Sequence, residues 1–149
     1  MAETDLIKLY SGRILALASD IPHTGRLPDP HASATRRSPL CGSNVTVDVS
    51  LKDGRIAEFA QDVRACALGQ AAASVVGAHA IGRTRREIET ARDQLEAMLT
   101  EDGPAPVAPF EELDVLIPAR AFKNRHKSIL LALTATAEAM EKAERAACA

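Results

Sequence analysis

Tryptophan is absent from this 149-residue chain, and aromatic residues make up only 3% of it. So few rings exclude the stacking platforms that bind single-stranded nucleic acid, and they leave the core to Ala, Val, Ile and Leu. Three cysteines are too few for a disulfide framework in a chain of this length. No apolar run is long enough to span a bilayer. A strong excess of one charge is also missing: the net charge of −2 provides neither a nucleic-acid nor a membrane footprint. The opening residues, Met1-Ala2-Glu3-Thr4-Asp5, are acidic where a targeting peptide would be basic. We expect a cytoplasmic protein in a reducing compartment, with thiols available for metal or sulfur chemistry.

What is present is an ordinary globular balance, 46% hydrophobic and 26% charged. Residues 1–149 are expected to form a single domain, large enough to bury roughly 70% of its unfolded surface. Leu6, Leu9, Tyr10, Ile14, Leu17 and Ala18 recur at helical spacing, which predicts a helix from Asp5 to Ile21. Pro22, Gly25, Pro28 and Pro30 then stop it. The stretch from Ala32 to Ser38 reads as either a loop or a short edge strand. From Asn44 to Leu51 the alternation is clean, with Val45, Val47, Val49 and Leu51 on one face. Asp53-Gly54 is a hairpin signal, and Ile56 to Arg64 reads as the returning strand with Phe59 and Val63 in the core.

The second half is helical. Ala67 to Ile81 is rich in small residues, so a helix there could approach its neighbours closely, and Gly82 ends it. Thr84-Arg85-Arg86-Glu87 is a capping box that opens a helix to about Thr100, with Ile88, Ala91, Leu95, Met98 and Leu99 as its stripe. A Pro/Gly linker follows, then a short helix or turn over Phe110 to Leu116, with Pro118 as a further break. The last helix starts near His126 and turns Ile129, Leu130, Leu133, Ala137 and Met140 inward. Strands early and helices late make the class α+β, a small antiparallel sheet covered by helices.

The chemistry concentrates at the ends of the hairpin. Cys41 precedes the first hairpin strand and Cys66 follows the second, so pairing the strands should bring the two thiols together. Gly42 allows positive φ beside Cys41. Cys66 stands at the start of the alanine-rich helix, whose positive end favours a thiolate. Asn124-Arg125-His126-Lys127 places cations at a helix start, where they oppose the dipole and suit an anionic neighbour. Each cysteine taken alone also reads as a small buried apolar residue, and the basic run as solvated charge. His23 and His31 lie in the Pro-rich loop and read as solvated, while His79 reads as a partly buried core residue. Cys148, second from the end, is expected in a frayed terminus with no structural role.

At these residues the chain resembles the iron–sulfur cluster assembly scaffolds of the IscU, SufU and NifU N-terminal type. Pro39-Leu40-Cys41-Gly42-Ser43 is similar to the family's first Cys-Gly-Asp motif. Arg64-Ala65-Cys66 with the small-residue run behind it is similar to the second cysteine motif. Arg125-His126-Lys127-Ser128-Ile129-Leu130 is similar to the third, His-Cys-Ser-Ile-Leu. The resemblance implies a scaffold rather than an enzyme. It would receive sulfur from a cysteine desulfurase, hold iron, a [2Fe–2S] cluster or zinc through Cys41, Cys66 and His126, and pass the cluster to recipient apo-proteins. Ser43 and Lys127 would stand beside those ligands. The chain departs from the pattern where Lys127 replaces the third cysteine, where Ser43 replaces the aspartate, and where Ala121-Phe122-Lys123-Asn124 replaces a Pro-Pro-Val-Lys stretch. Two thiolates and one imidazole leave a four-coordinate metal one ligand short.

Two other readings compete with the scaffold. The first is a degenerate member that docks a desulfurase or another partner without holding metal. The second is a thiol enzyme with Cys66 or Cys41 as nucleophile and His126 as base, although no oxyanion-hole motif accompanies them.

Overall fold

Alternation and turn chemistry make the hairpin that organises the fold. In a computed structural model, which describes residues 11–39 and 42–148, β2 (Asn44–Lys52) and β3 (Arg55–Arg64) pair antiparallel through the turn Asp53-Gly54. Both turn residues have positive φ, 54° and 76°, the geometry that Asp-Gly accepts most readily. β1 (Ala32–Arg37) pairs with β2 on its other side, so the ambiguous stretch is an edge strand and the sheet order is β1-β2-β3.

Val45, Val47 and Val49 are almost fully buried, and each such side chain contributes about 1.5–3 kcal/mol when removed from water. Their cover is α4 (His126–Cys148), which packs on β1 and β2. Behind it, α2 (Ala67–His79) packs between α1 (Gly12–Ala18) and α4, and α3 (Arg85–Thr100) packs on α4. Leu68, Val76, Ile88, Leu95, Met98, Leu133 and Met140 are among the fully or almost fully buried residues of one hydrophobic cluster. The α+β architecture is the one expected. The capping box also forms as expected: Thr84 accepts from Glu87 N, and the Glu87 carboxylate accepts from Thr84 N.

Four local expectations change. The helix predicted from Asp5 to Ile21 is, over the described residues, Gly12–Ala18. Ser11 is extended and its hydroxyl caps Ile14 N, so this helix starts there. Leu6, Leu9 and Tyr10 lie outside the described residues. The Ala67 helix ends at His79, before Ile81. Pro118 does not break the chain: it lies inside a 3-10 segment, Glu111–Ala121, whose φ range proline already satisfies. α4 is helical through Cys148, where an irregular end was expected.

One polar cluster ties the loop after α1 to the far face of the sheet. Asp48 is fully buried on β2 and takes hydrogen bonds from Arg26 Nε at 2.7 Å, Arg26 Nη2 at 3.0 Å, Leu27 N at 3.0 Å and the Ser33 hydroxyl. Burial alone would push this carboxyl up. The hydrogen bonds from Arg26, Ser33 and Leu27 N, with the Arg26 charge, outweigh burial and hold it below the usual aspartate range. A lowered carboxyl contributes stability above the unfolded value, and that stability is lost as pH falls through the folded one. We therefore expect Asp48→Asn to cost about 2 kcal/mol in urea denaturation at neutral pH. The gap from wild type should close as pH drops below about 4. An equal gap at both pH values would contradict this assignment.

Candidate functional site

Strand register builds the site from the hairpin outward. Asn44 pairs with Arg64, so the chain entering β2 and the chain leaving β3 lie side by side at one end of the sheet. The entry is a tight turn. Gly42 N donates to Ser38 O at 3.1 Å and Ser38 N donates to Ser43 O at 2.8 Å. Gly42 has φ of 71°, as its place in the sequence anticipates, and a side chain there would be strained. Cys41 lies outside the described residues. On the exit side, Cys66 is the N-cap residue of α2. It is extended at φ −67°, ψ 169°, half-buried, and makes no side-chain cap hydrogen bond.

The third element comes from α4. Ser128, in its first turn, is 1% exposed and donates to the Ser43 hydroxyl at 3.1 Å, with Ser43 itself 3% exposed. The Cys66 sulfur lies 3.7 Å from the same Ser128 oxygen. One residue from each of the three sequence motifs therefore meets at a single point. Sequence reasoning passed over Ser128. Its signal was its place two residues after His126, at the start of an otherwise apolar helix face.

His126, the first residue of the same helix, makes a different contact. Its ring is buried, and Nε2 lies 2.9 Å from the carbonyl oxygen of Ala119. A carbonyl only accepts, so Nε2 carries the proton and Nδ1 of the neutral ring keeps the lone pair. A metal-binding imidazole is commonly oriented by such a bond through its other nitrogen. His126 and the exposed Lys127 border a cavity of about 580 Å³, together with Leu99, Arg120, Lys123 and Leu130. Arg120 is spoken for: it donates to Met98 O at 2.6 Å and Gly103 O at 2.8 Å, closing the end of α3. Lys127 makes no ion pair among the described residues. Also among the described residues, no hydrogen bond joins the His126 ring to Cys66, and no three His, Cys, Asp or Glu side chains group closely enough to hold a metal.

His79 is half-buried, as expected, and meets Phe110 edge to face at 6.2 Å. His23 and His31 are exposed, also as expected, although His31 Nδ1 accepts from Leu51 N. No helix among the described residues is long and apolar enough to cross a membrane.

No family model matches the chain. Comparison with solved structures finds the N-terminal part of a nitrogen-fixing NifU-like protein from Brucella abortus, at 42% identity and a TM-score of 0.91. The match covers 95% of this chain and 98% of that one. The protein FiSufU from the thermophile Fervidobacterium islandicum AW-1 shares the fold, with a TM-score of 0.76 at 20% identity over 90% of this chain and 98% of that one. Among curated proteins, the iron–sulfur cluster assembly scaffold protein IscU of Thermotoga maritima is 23% identical over 137 residues, 92% of this chain and 96% of that protein.

The Ala119 contact specifies one imidazole tautomer. Long-range proton–nitrogen correlation spectra at pH 8.5, where an ordinary imidazole is neutral, should show His126 protonated at Nε2 and bare at Nδ1. The opposite tautomer would contradict the geometry.

Proposed function

The chain belongs to the IscU/SufU/NifU N-terminal-like scaffold family, and from that premise we propose that it is an iron–sulfur cluster assembly scaffold or carrier. Its cargo is iron or a [2Fe–2S] cluster, held transiently through Cys41, Cys66 and His126. The observation that carries the reading is the meeting of Ser43, Cys66 and Ser128, because it joins all three motifs in space. Thiolate sulfur suits iron–sulfur units and zinc over hard cations. Cys66 is half-buried and therefore reachable, and it sits at the positive end of a 13-residue helix, which favours anionic cargo. His126 would supply Nδ1. Lys127, as an ammonium, cannot ligate, but it adds positive charge beside an anionic cluster.

With three protein ligands, one coordination position is left for the sulfur donor or the recipient, as suits a carrier that must load and release. The implied partners are a cysteine desulfurase on the loading side and apo-proteins on the delivery side. No side chain of the site is asked to perform a covalent reaction on a substrate, so the protein acts as a scaffold and not as an enzyme.

Anaerobic loading with iron and sulfide tests this. The wild type should develop the visible sulfur-to-iron absorption, and Cys41→Ala/Cys66→Ala should abolish it. His126→Ala should lower the amount retained after desalting, because it removes one of the three proposed ligands. Identical spectra from wild type and the double cysteine variant would end the proposal. No chromophore in either, with desulfurase binding indifferent to both thiols, would replace it with the docking-module reading.

A further inference from the structure

The cavity beside His126, of about 580 Å³, falls in the range of about 300–1,000 Å³ that holds small-molecule ligands. Its charges are not balanced internally. Lys123 and Lys127 both line it, both exposed, and neither makes an ion pair among the described residues. They stand at the start of α4, whose positive end adds to their charge. Glu96, on α3, also lines it, exposed and likewise without an ion pair among the described residues. Asp102 and Arg120 approach each other to 3.6 Å and cancel. Two unpaired ammonium groups and one unpaired carboxylate therefore select a ligand of the reverse composition, with two carboxylates and one ammonium.

The same cavity touches the proposed iron site. The His126 ring, 7% exposed, lines it, with Nε2 committed to Ala119 O at 2.9 Å and Nδ1 bonded to no group among the described residues. Cys41, Cys66 and His126 leave a four-coordinate iron one ligand short. Lys127 occupies the place of the motif's third cysteine, and as an ammonium it cannot ligate. The group that is lacking is a soft thiolate.

We propose that this cavity binds a small acidic peptide thiol, carrying two carboxylates, one ammonium and one sulfhydryl, and that its sulfur takes the place of the third cysteine. The proposal rests on the scaffold reading and names the ligand that completes it. The carboxylates pair with Lys123 and Lys127, and the ammonium pairs with Glu96. As the S–Fe bond forms, the S–H bond breaks; the proton passes to water and no electron moves. A donor or recipient thiolate then displaces the peptide by ligand exchange, again without electron transfer. Free cysteine has only one carboxylate and leaves one lysine unmatched.

Reduced glutathione serves as the probe, on the full-length chain. In the metal-free protein, titration should shift the backbone amide signals of residues 96–102 and 120–130. S-methylglutathione, which keeps the charges and masks the sulfur, should bind equally well. Free cysteine should bind more weakly. Lys123→Met/Lys127→Met, with both positions exposed and its fold checked by circular dichroism, should bind glutathione about tenfold more weakly, as the loss of two exposed ion pairs implies. After anaerobic loading with iron and sulfide, equal concentrations of each compound are compared. Glutathione should retain several-fold more cluster through desalting than S-methylglutathione or 2-mercaptoethanol, and the double lysine variant should lose that advantage. No shift in the metal-free protein would overturn the proposal, as would equal binding by wild type and the lysine variant, or by cysteine and glutathione. Equal retention with glutathione and S-methylglutathione would also overturn it. Wild-type protein that binds glutathione as expected but takes up no cluster would refute the scaffold reading while leaving the peptide site in place.

Discussion

The close approach of α2 to α4 is the constraint on which the site depends. Gly69 has no room for a Cβ, being limited on one side by Ala65 and on the other by the side chain and backbone of Ser128. The small residues that follow it, Ala71, Ala72 and Ala73, are fully or almost fully buried. If the first turn of α2 stood farther out, the oxygen of Ser128 would lose the Cys66 sulfur. The hairpin supplies the other half of the geometry, because its register sets Asn44 beside Arg64 and so carries Ser43 to the same point. Neither constraint would assemble the site without the other.

The parts of the fold that sequence made legible are those in which local chemistry and tertiary structure agree. Val45, Val47 and Val49 alternate because one face of β2 is covered, and Asp53-Gly54 tolerates the positive φ that the turn needs. Thr84 and Glu87 satisfy each other's backbone within one turn, so a capping box can be read without knowing its surroundings. The misreadings arose where two local signals competed. Ser11 sits inside an apolar run of helical period, and the periodic signal hid a capping signal that the structure obeys. Pro118 looks like a breaker only if the segment is taken as α-helical; a 3-10 path closes bonds over three residues and accommodates it.

The candidate site was legible to a different depth. Cys66 stood out because a hairpin brings its ends together, an argument from topology, whereas Ser43 stood out only by the resemblance, as the residue in place of the motif's aspartate. Ser128 did not stand out, because its contacts are with residues 85 positions away in one case and 62 in the other. A serine in a helix start normally reads as a local capping residue. His126 stood out as a titratable group, and its ring is fastened to the carbonyl of Ala119. Periodicity could place both residues on one turn. It could not say that their side chains divide the work, with Ser128 in contact with the sulfur and His126 bonded to a carbonyl and bordering a cavity.

That division has a physical rationale for a chain that must hold cargo and let it go. The groups that orient the ends of the site, Ser43, Ser128 and the Ala119 carbonyl bond of His126, are sealed or nearly so, where hydrogen bonds are least open to competition from water. Cys66, the group offered to iron, is half-buried and lies at a helix start without a cap bond of its own. Stability is anchored elsewhere. Asp48 with Arg26 and Ser33 locks the opposite face of the sheet, and the valine face is locked by α4.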